Sequence, residues 1–109
     1  GDIILKTVAE RVSGCIRDVD VLARYGGDEF VILLPESDWR NIQEITGRII
    51  QCISSQPIPA NGESLKISAS MGAARALARS TTLEELLAEA DKALYAAKES
   101  GKNRVEIAW

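Results

Sequence analysis

The spacing of apolar positions along the chain predicts three amphipathic helices. Apolar residues recur at steps of three and four positions over residues 4–16 and again over residues 42–53, which is the period of one helix face. A third segment with this period follows Thr82, and Glu85 stands three positions later, as in a capping box. Gly101 is expected to end this last helix.

Other segments have the shorter period of β-strands. Val19, Val21 and Ala23 place an apolar residue at every second position, and residues 30–34 form an apolar run, so the two segments predict a hairpin. Residues 57–62 are rich in proline and glycine and are predicted to be a loop. Residues 65–74 predict a strand with one apolar face, and residues 104–107 predict a short final strand.

The order of these elements predicts an α+β domain of the two-layer α/β type, with helices packed on a mixed sheet. Residues 1–109 are long enough for one compact domain and too short for two separate cores, and no linker or repeat divides them. Small side chains at Gly72 and Ala73 predict that another element approaches this strand closely.

Composition narrows the classes of partner. The formal charge of -3 gives no general attraction to polyanions, so nonspecific nucleic-acid binding is not expected. Cys15 and Cys52 lack the paired spacings of a zinc site and the density of a disulfide framework, which favours reduced thiols in a cytoplasmic location. No apolar run approaches the roughly 20 residues that span a bilayer, so this segment is expected to make no membrane contact, although its parent protein could be membrane-anchored.

The turn of the predicted hairpin carries the first candidate chemistry. Gly26 and Gly27 allow positive φ angles and the close approach of a ligand to the backbone. Asp28 and Glu29 follow directly, and adjacent exposed carboxylates can coordinate a hard cation such as Mg²⁺ bound to phosphates. An ordinary charged turn is the alternative interpretation, and composition alone does not distinguish the two.

The seven residues 24–30 resemble the signature of the diguanylate cyclase, or GGDEF, family. Residues 67–74 and 90–104 are similar to two further motifs of that family, so the resemblance covers nearly the whole chain. It implies a palm-like mixed or antiparallel sheet akin to that of nucleotidyl cyclases and polymerases. It also implies that two GTP molecules are joined into cyclic di-GMP and pyrophosphate, with Mg²⁺ or Mn²⁺ as cofactor.

The resemblance assigns roles to the turn. Gly26 and Gly27 would contact the substrate, and Asp28 would bind the metal and accept the proton of the ribose 3′-hydroxyl. A carboxylate beside a divalent ion stays ionised, which suits both tasks. Glu29 is assigned a supporting acidic role in catalysis.

Two lysines near the end of the last helix complete the implied substrate site. Lys98 and Lys102 lie four positions apart, and the family uses the matching positions to hold the triphosphate. Without the resemblance, such lysines would be interpreted as solvated side chains that complement the helix dipole.

A second implied site would bind the product. Arg17 and Asp20 have R-x-x-D spacing, and five residues separate Asp20 from Gly26, which resembles the inhibitory site of the family. A guanidinium group can pair with the acceptor edge of guanine while a carboxylate accepts from its amino and imino hydrogens. An exposed ion pair within a turn is the alternative.

Family members normally begin with an additional strand and helix, which carry another metal ligand and the residues that recognise guanine. None of these is present in residues 1–109, so this fragment in isolation is expected to have negligible turnover while its parent protein is a cyclase. The implied reaction needs a homodimer that brings two GTP molecules face to face, and an upstream sensory or receiver domain would control it. The alternative is a catalytically silent module that binds cyclic di-GMP or GTP and regulates a partner domain.

Overall fold

A computed structural model describes residues 2–26, 29–35, 38–76, 81–101 and 105–107. The helices and strands, in chain order, are α1 (Asp2–Ser13), β1 (Val21–Arg24), β2 (Phe30–Leu33), a 3₁₀ turn (Trp39–Asn41), α2 (Ile42–Ser54), β3 (Ile58–Ala60), β4 (Glu63–Leu65), β5 (Met71–Ala73), α3 (Leu83–Glu99) and β6 (Val105–Ile107). None of the described helices combines the length and the apolar character of a membrane-spanning segment.

The three predicted helices are confirmed, and α3 begins as the sequence predicts. The Thr82 hydroxyl accepts a hydrogen bond from the Glu85 backbone amide at 3.1 Å, and the Glu85 carboxylate accepts one from the Thr82 amide at 3.3 Å. This capping box satisfies two amide groups that the first turn of a helix otherwise leaves without partners.

The strands pair two by two in the described part of the chain. β1 and β2 form an antiparallel hairpin whose register joins Val21 to Leu33 and Arg24 to Phe30. β5 and β6 run parallel, and β3 and β4 are antiparallel. With helices packed on these short antiparallel and parallel pairs, the predicted α+β class is confirmed.

Two predictions about residues 57–74 were wrong. The expected loop over residues 57–62 contains β3 and the turn of a second hairpin, in which Asn61 and Gly62 have φ angles of 52° and 80°. Two successive positive φ angles are what a tight type I′ hairpin turn requires, and Asn-Gly supplies them at low energetic cost. The expected strand over residues 65–74 is also interrupted, because only its ends belong to β4 and β5.

The main core lies where α1 and α2 pack together beneath the β1–β2 hairpin. Val12, Ile49 and Ile53 are almost fully buried, and the apolar face predicted for the third strand segment packs against them through Ile67 and Met71. The alternating apolar pattern of residues 65–74 therefore predicted the buried face correctly. It did not predict which of these residues form the hydrogen bonds of a strand.

Arg11 joins the two helices by polar contacts. Its guanidinium group donates to the backbone carbonyl oxygens of Ile53 at 2.7 Å, Gln56 at 2.6 Å and Pro57 at 3.1 Å. These carbonyls lie at and just beyond the C-terminal end of α2, where helix carbonyls lack intrahelical partners and the helix dipole favours a positive charge. A side chain of α1 therefore caps α2.

β5 lies unusually close to α3, as the small residues of this strand predict. A Cβ atom added at Gly72 would overlap the Ala90 carbonyl oxygen and the Leu94 amide nitrogen, and it would lie 2.8 Å from the Leu94 Cα. The α3 face beside the strand carries the buried small residues Ala93 and Ala97, so the two backbones can approach. The predicted close approach is confirmed.

Candidate functional site

Residues 26–29, called here the glycine-acid turn, connect β1 to β2. The Tyr25 amide donates to the Glu29 carbonyl oxygen at 2.9 Å, and the Gly26 amide donates to the same oxygen at 3.3 Å. Tyr25 is 63% exposed and Gly26 is also exposed, so both residues lie outside the packed interior. Gly27 and Asp28 lie outside the described residues, and their predicted roles stay predictions.

Gly26 has no unusual backbone conformation, and its surroundings would tolerate a Cβ atom. Its φ angle is outside the left-handed region, and an added Cβ would make ordinary contacts with Glu29, at 3.8 Å from Cβ and 3.9 Å from Cδ. Gly26 therefore does not use the positive φ angles that glycine allows. The expectation that a ligand can approach this backbone stays compatible with the exposed position of the glycine.

Residues on both sides of the turn brace it. The Arg24 guanidinium donates through Nε to the Gly26 carbonyl oxygen at 3.3 Å. Glu29 is half-buried and directly precedes β2, whereas the Arg24 side chain is exposed. Donors at the β1 end thus make hydrogen bonds to the carbonyl oxygens of Gly26 and Glu29.

The structure places Lys98 in the last turn of α3, where its side chain is exposed. Lys98 forms no ion pair with any residue in the described ranges, so its ammonium group is available to an anionic ligand. Lys102 lies outside the described residues, and the predicted pairing of the two lysines on one ligand stays a prediction.

The described residues alone do not form a metal site. No group of three or more Asp, Glu, His or Cys side chains in that part of the chain is placed to hold an ion. Asp28, the residue that the resemblance assigns to the metal, is not among them. The carboxylate of Asp28 is a hard oxygen donor, the type of ligand that Mg²⁺ prefers. The chemistry of this one side chain is what supports a metal ion here.

Arg17 and Asp20 contact each other directly. Arg17 donates through Nη2 to Asp20 Oδ1 at 2.7 Å and through its backbone amide to Oδ2 at 2.7 Å, and Nε lies 3.1 Å and 3.2 Å from the two oxygens. Arg17 Nη2 also donates to the Pro35 carbonyl oxygen at 2.7 Å. The Asp20 side chain is only 3% exposed, whereas that of Arg17 is 51% exposed. The guanidinium group therefore forms the outer, accessible member of the pair.

This contact fixes the charge of Asp20. Hydrogen bonds from the Arg17 side chain lower the pKa of the Asp20 carboxyl below its usual value, and the Arg17 amide and positive charge act in the same direction against the opposing effect of burial. A carboxyl with a lowered pKa contributes stability that is present above its unfolded-state pKa and is lost as pH falls through the folded value. The pair therefore stays charged at neutral pH.

A groove of about 420 Å³ lies beside this pair. One side is formed by residues near Arg17 and Asp20, and the other is formed by the 3₁₀ turn and α2. The polar residues of the second side are Asp38, Asn41, Glu44 and Arg48. The groove thus presents two guanidinium groups together with acceptor and amide groups, which suits a ligand with both phosphates and a purine edge.

Sequence reasoning missed Arg48 as a residue of this groove. It stands on α2 between Ile45 and Ile49, beside the apolar face that packs into the core. The position of Arg48 at the edge of an apolar face could be read from the sequence. The packing of α2 places this edge beside residues 15–20, and the helical period does not specify that packing.

In the described ranges, three helices pack on short two-stranded sheets, which defines a small mixed α+β domain. The chain belongs to the GGDEF family. Its residues 1–104 match the family described as "Diguanylate cyclase, GGDEF domain".

Individual relatives agree with this assignment. The chain is 32% identical over 107 residues to diguanylate cyclase A of Treponema denticola, which covers 98% of this chain and 29% of that protein. Among solved structures, it resembles the diguanylate cyclase SiaD of Pseudomonas aeruginosa, crystallised with its activator SiaC, at a TM-score of 0.90 and 26% identity over 97% of this chain and 40% of that one. It also resembles the GGDEF domain of DgcB from Caulobacter crescentus in complex with c-di-GMP, at a TM-score of 0.87 and 30% identity over 98% of this chain and 64% of that one.

The match is confined to part of each relative. The chain spans between 15% and 30% of the length of the curated relatives that it matches. Family membership therefore describes this domain, and the activity and partners of the whole protein are matters for proposal.

Proposed function

We propose that the chain forms the larger part of a domain that condenses two GTP molecules into cyclic di-GMP and pyrophosphate. The observation that carries the proposal is the β1–β2 hairpin, where Tyr25 and Gly26 are exposed, in a sequence that keeps the family signature over residues 24–30. Degenerate turns are expected in silent relatives, and the turn here keeps Asp28 and Glu29.

The reaction assigns a task to each candidate side chain. In each half-reaction the ribose 3′-oxygen of one GTP forms a bond to the α-phosphorus of the other, and the bond from that phosphorus to the pyrophosphate leaving group breaks. Asp28 accepts the 3′-hydroxyl proton, and Glu29 supports the negative field that favours this transfer. Mg²⁺ or Mn²⁺ held by Asp28 would neutralise charge on the phosphates.

Lys98 and Lys102 hold the triphosphate, and each protomer of a homodimer supplies one GTP. Because the nucleophile and the reacting phosphate then come from opposite protomers, orientation by the dimer contributes to the rate. An input domain elsewhere in the parent protein would control how often the two halves meet. The limited share of each relative that this chain covers is compatible with such a domain.

The proposed synthesis is tested by incubating the complete domain with GTP and Mg²⁺ and separating the nucleotides by chromatography. Cyclic di-GMP and pyrophosphate are the expected products, and the fragment of residues 1–109 alone is expected to form neither at a measurable rate. A complete domain that binds GTP or cyclic di-GMP without synthesis would instead support the alternative, a silent sensing module.

The Lys98→Gln variant of the complete domain is expected to raise the KM for GTP by roughly tenfold, equivalent to about 1.4 kcal/mol of lost binding. The ammonium group of Lys98 is exposed and makes no ion pair with a described residue, so its removal affects the ligand more than the fold. Steady-state kinetics measures the change.

Lys92→Gln is the matched control for this experiment. Lys92 lies on the same helix and pairs only loosely with Glu89, at 3.4 Å. We expect its KM to equal that of the unmodified domain. A normal KM for Lys98→Gln would contradict the assignment of Lys98 to the substrate.

We also propose that the groove beside Arg17 and Asp20 binds cyclic di-GMP and restrains the enzyme. The arrangement of an exposed guanidinium group, a buried carboxylate that holds it and Arg48 on the facing wall supports this proposal. Bound product would exchange part of the Arg17–Asp20 contact for contacts to guanine.

Arg17→Ala is expected to weaken cyclic di-GMP binding by at least roughly tenfold, because interface arginines are frequent binding hot spots. Asp20→Ala is expected to do the same by releasing Arg17 from its fixed position. Calorimetry with cyclic di-GMP measures both, and Lys6→Ala, an exposed charge on α1, is the control. Unchanged affinity in both groove variants would show that the product binds elsewhere.

A further inference from the structure

Two thiols meet where α1 and α2 pack together. Cys15 follows the end of α1, and Cys52 lies near the end of α2; both are free and half-buried. Cys15 packs against the buried cluster of Val12, Ile49 and Ile53, and Cys52 lies on α2 between the last two. Contact with Cys52 is also among the causes that raise the pKa of the Cys15 thiol. Neither thiol has a role in the proposed cyclase reaction.

The pair adjoins the groove described above. Cys15 lines the groove and stands two positions before Arg17. Cys52 stands four positions after Arg48, which is one helical turn along the same face of α2. A covalent link between the thiols would therefore join both walls of the groove.

We propose that Cys15 and Cys52 form a redox-sensitive pair whose oxidation to a disulfide ties the segment after α1 to α2 and weakens ligand binding in the adjacent groove. The part concerning the ligand rests on the product site proposed above. The oxidant is a small-molecule disulfide such as oxidised glutathione.

The chemistry balances in two exchange steps. The Cys52 thiolate attacks one sulfur of the oxidant, so a mixed disulfide forms and one glutathione thiolate leaves. The Cys15 thiolate then attacks the Cys52 sulfur, which forms the internal disulfide and expels the second glutathione. Two electrons pass from the protein thiols to the oxidant, and their two protons go to the released thiolates.

The surroundings of Cys15 indicate this order of attack. Burial raises the pKa of the Cys15 thiol to about 11, the contact with Cys52 and its charge act in the same direction, and Arg48 acts in the opposite one. A thiol that stays protonated is a poor first nucleophile. Once Cys52 is in a mixed disulfide, its charge no longer opposes ionisation of Cys15, and burial is the remaining cause that does.

Peptide mapping tests the disulfide directly. The parent protein is treated with oxidised glutathione, the remaining thiols are blocked, and the protein is cleaved with trypsin. Cys15 and Cys52 fall in different tryptic peptides, residues 12–17 and 49–66, each with one cysteine. We expect a linked pair lighter than the sum of both peptides by two hydrogen atoms, which a reductant separates.

Serine variants provide the controls. Cys15→Ser is expected to stop at a glutathione adduct on peptide 49–66, because the second thiol is missing. Two unmodified cysteines, or separate adducts on both peptides without a link, would overturn the proposal.

Calorimetry with cyclic di-GMP then tests the coupling. The disulfide shortens the sulfur separation to about 2.05 Å and restrains the segment that carries Arg17, so we expect the oxidised protein to bind roughly fivefold more weakly or worse. Cys52→Ser lacks the first nucleophile and should bind equally well with and without oxidant. A linked pair with unchanged affinity would reject the coupling. A protein that forms the disulfide on oxidation but does not bind cyclic di-GMP in its reduced state would reject the product site and leave the disulfide confirmed.

Discussion

Asp28→Asn in the complete domain is expected to lower the rate of cyclic di-GMP synthesis by at least about a hundredfold, the lower end of what a positioned acid-base group contributes. The carboxamide has nearly the same shape but neither accepts the 3′-hydroxyl proton nor offers a charged oxygen to a divalent ion. Product formation at saturating GTP and Mg²⁺ measures the loss.

Glu63→Gln is the control for this substitution. It removes one exposed carboxylate from β4, on a different hairpin, and is expected to leave the rate unchanged. Glu29→Gln should fall between the two, since Glu29 is assigned a supporting role. An Asp28→Asn variant with the rate of the unmodified domain would remove Asp28 from the mechanism and leave the silent module as the better interpretation.

The second large effect concerns stability, since Gly72→Ala is expected to destabilise the domain by about 3 kcal/mol or more, at or beyond the upper end of overpacked substitutions. The added methyl group would meet backbone atoms of Ala90 and Leu94, which cannot rotate away as a flexible side chain does. β5 and α3 must separate to admit it, and the buried contacts of Ala93 and Ala97 loosen. Urea unfolding of the complete domain measures the change.

Gly47→Ala makes the same chemical change at a site with free space. Gly47 lies within α2, and nothing stands within 4 Å of an added Cβ. Because alanine favours the helix and restricts the unfolded chain, this variant is expected to gain about 0.5–1 kcal/mol. If both variants unfolded at the same urea concentration, the close contact of β5 with α3 would be excluded.

Helical segments were predictable from the sequence because their signals are local. The apolar period of α2 and the capping box at Thr82 involve residues within two turns of each other, and the same local contacts exist in the folded chain. The β3–β4 hairpin was missed although Asn61 and Gly62 gave a local signal for it. Its strands have only three residues each, too few for an alternating pattern to emerge.

The interrupted strand shows a different limit. Residues 66–69 alternate between exposed and partly buried side chains as a strand does, yet they are not assigned to one. An extended backbone alternates its side chains whether or not a neighbouring chain supplies hydrogen bonds. Alternation therefore predicted which residues face the core and did not predict the ladder.

The candidate sites divide in the same way. Arg17 and Asp20 are close in sequence, so their spacing and their contact could both be anticipated. Arg48 joins the groove only because α2 packs beside that turn, which is a tertiary fact. The roles of Asp28 and Lys98 came from the family resemblance, since neither spacing nor periodicity distinguishes a catalytic carboxylate from a solvated one.

The contact of Arg11 with the end of α2 makes one helix dependent on the other. If α1 shifts or frays, the three carbonyl groups lose the hydrogen bonds that Arg11 donates to them. The last turn of α2 should then open as well. Amide exchange in that turn would then report on the state of a segment more than forty positions earlier in the chain. A mechanical signal that reached this domain from its N-terminal side would thus have a short polar route to the helix bearing Arg48.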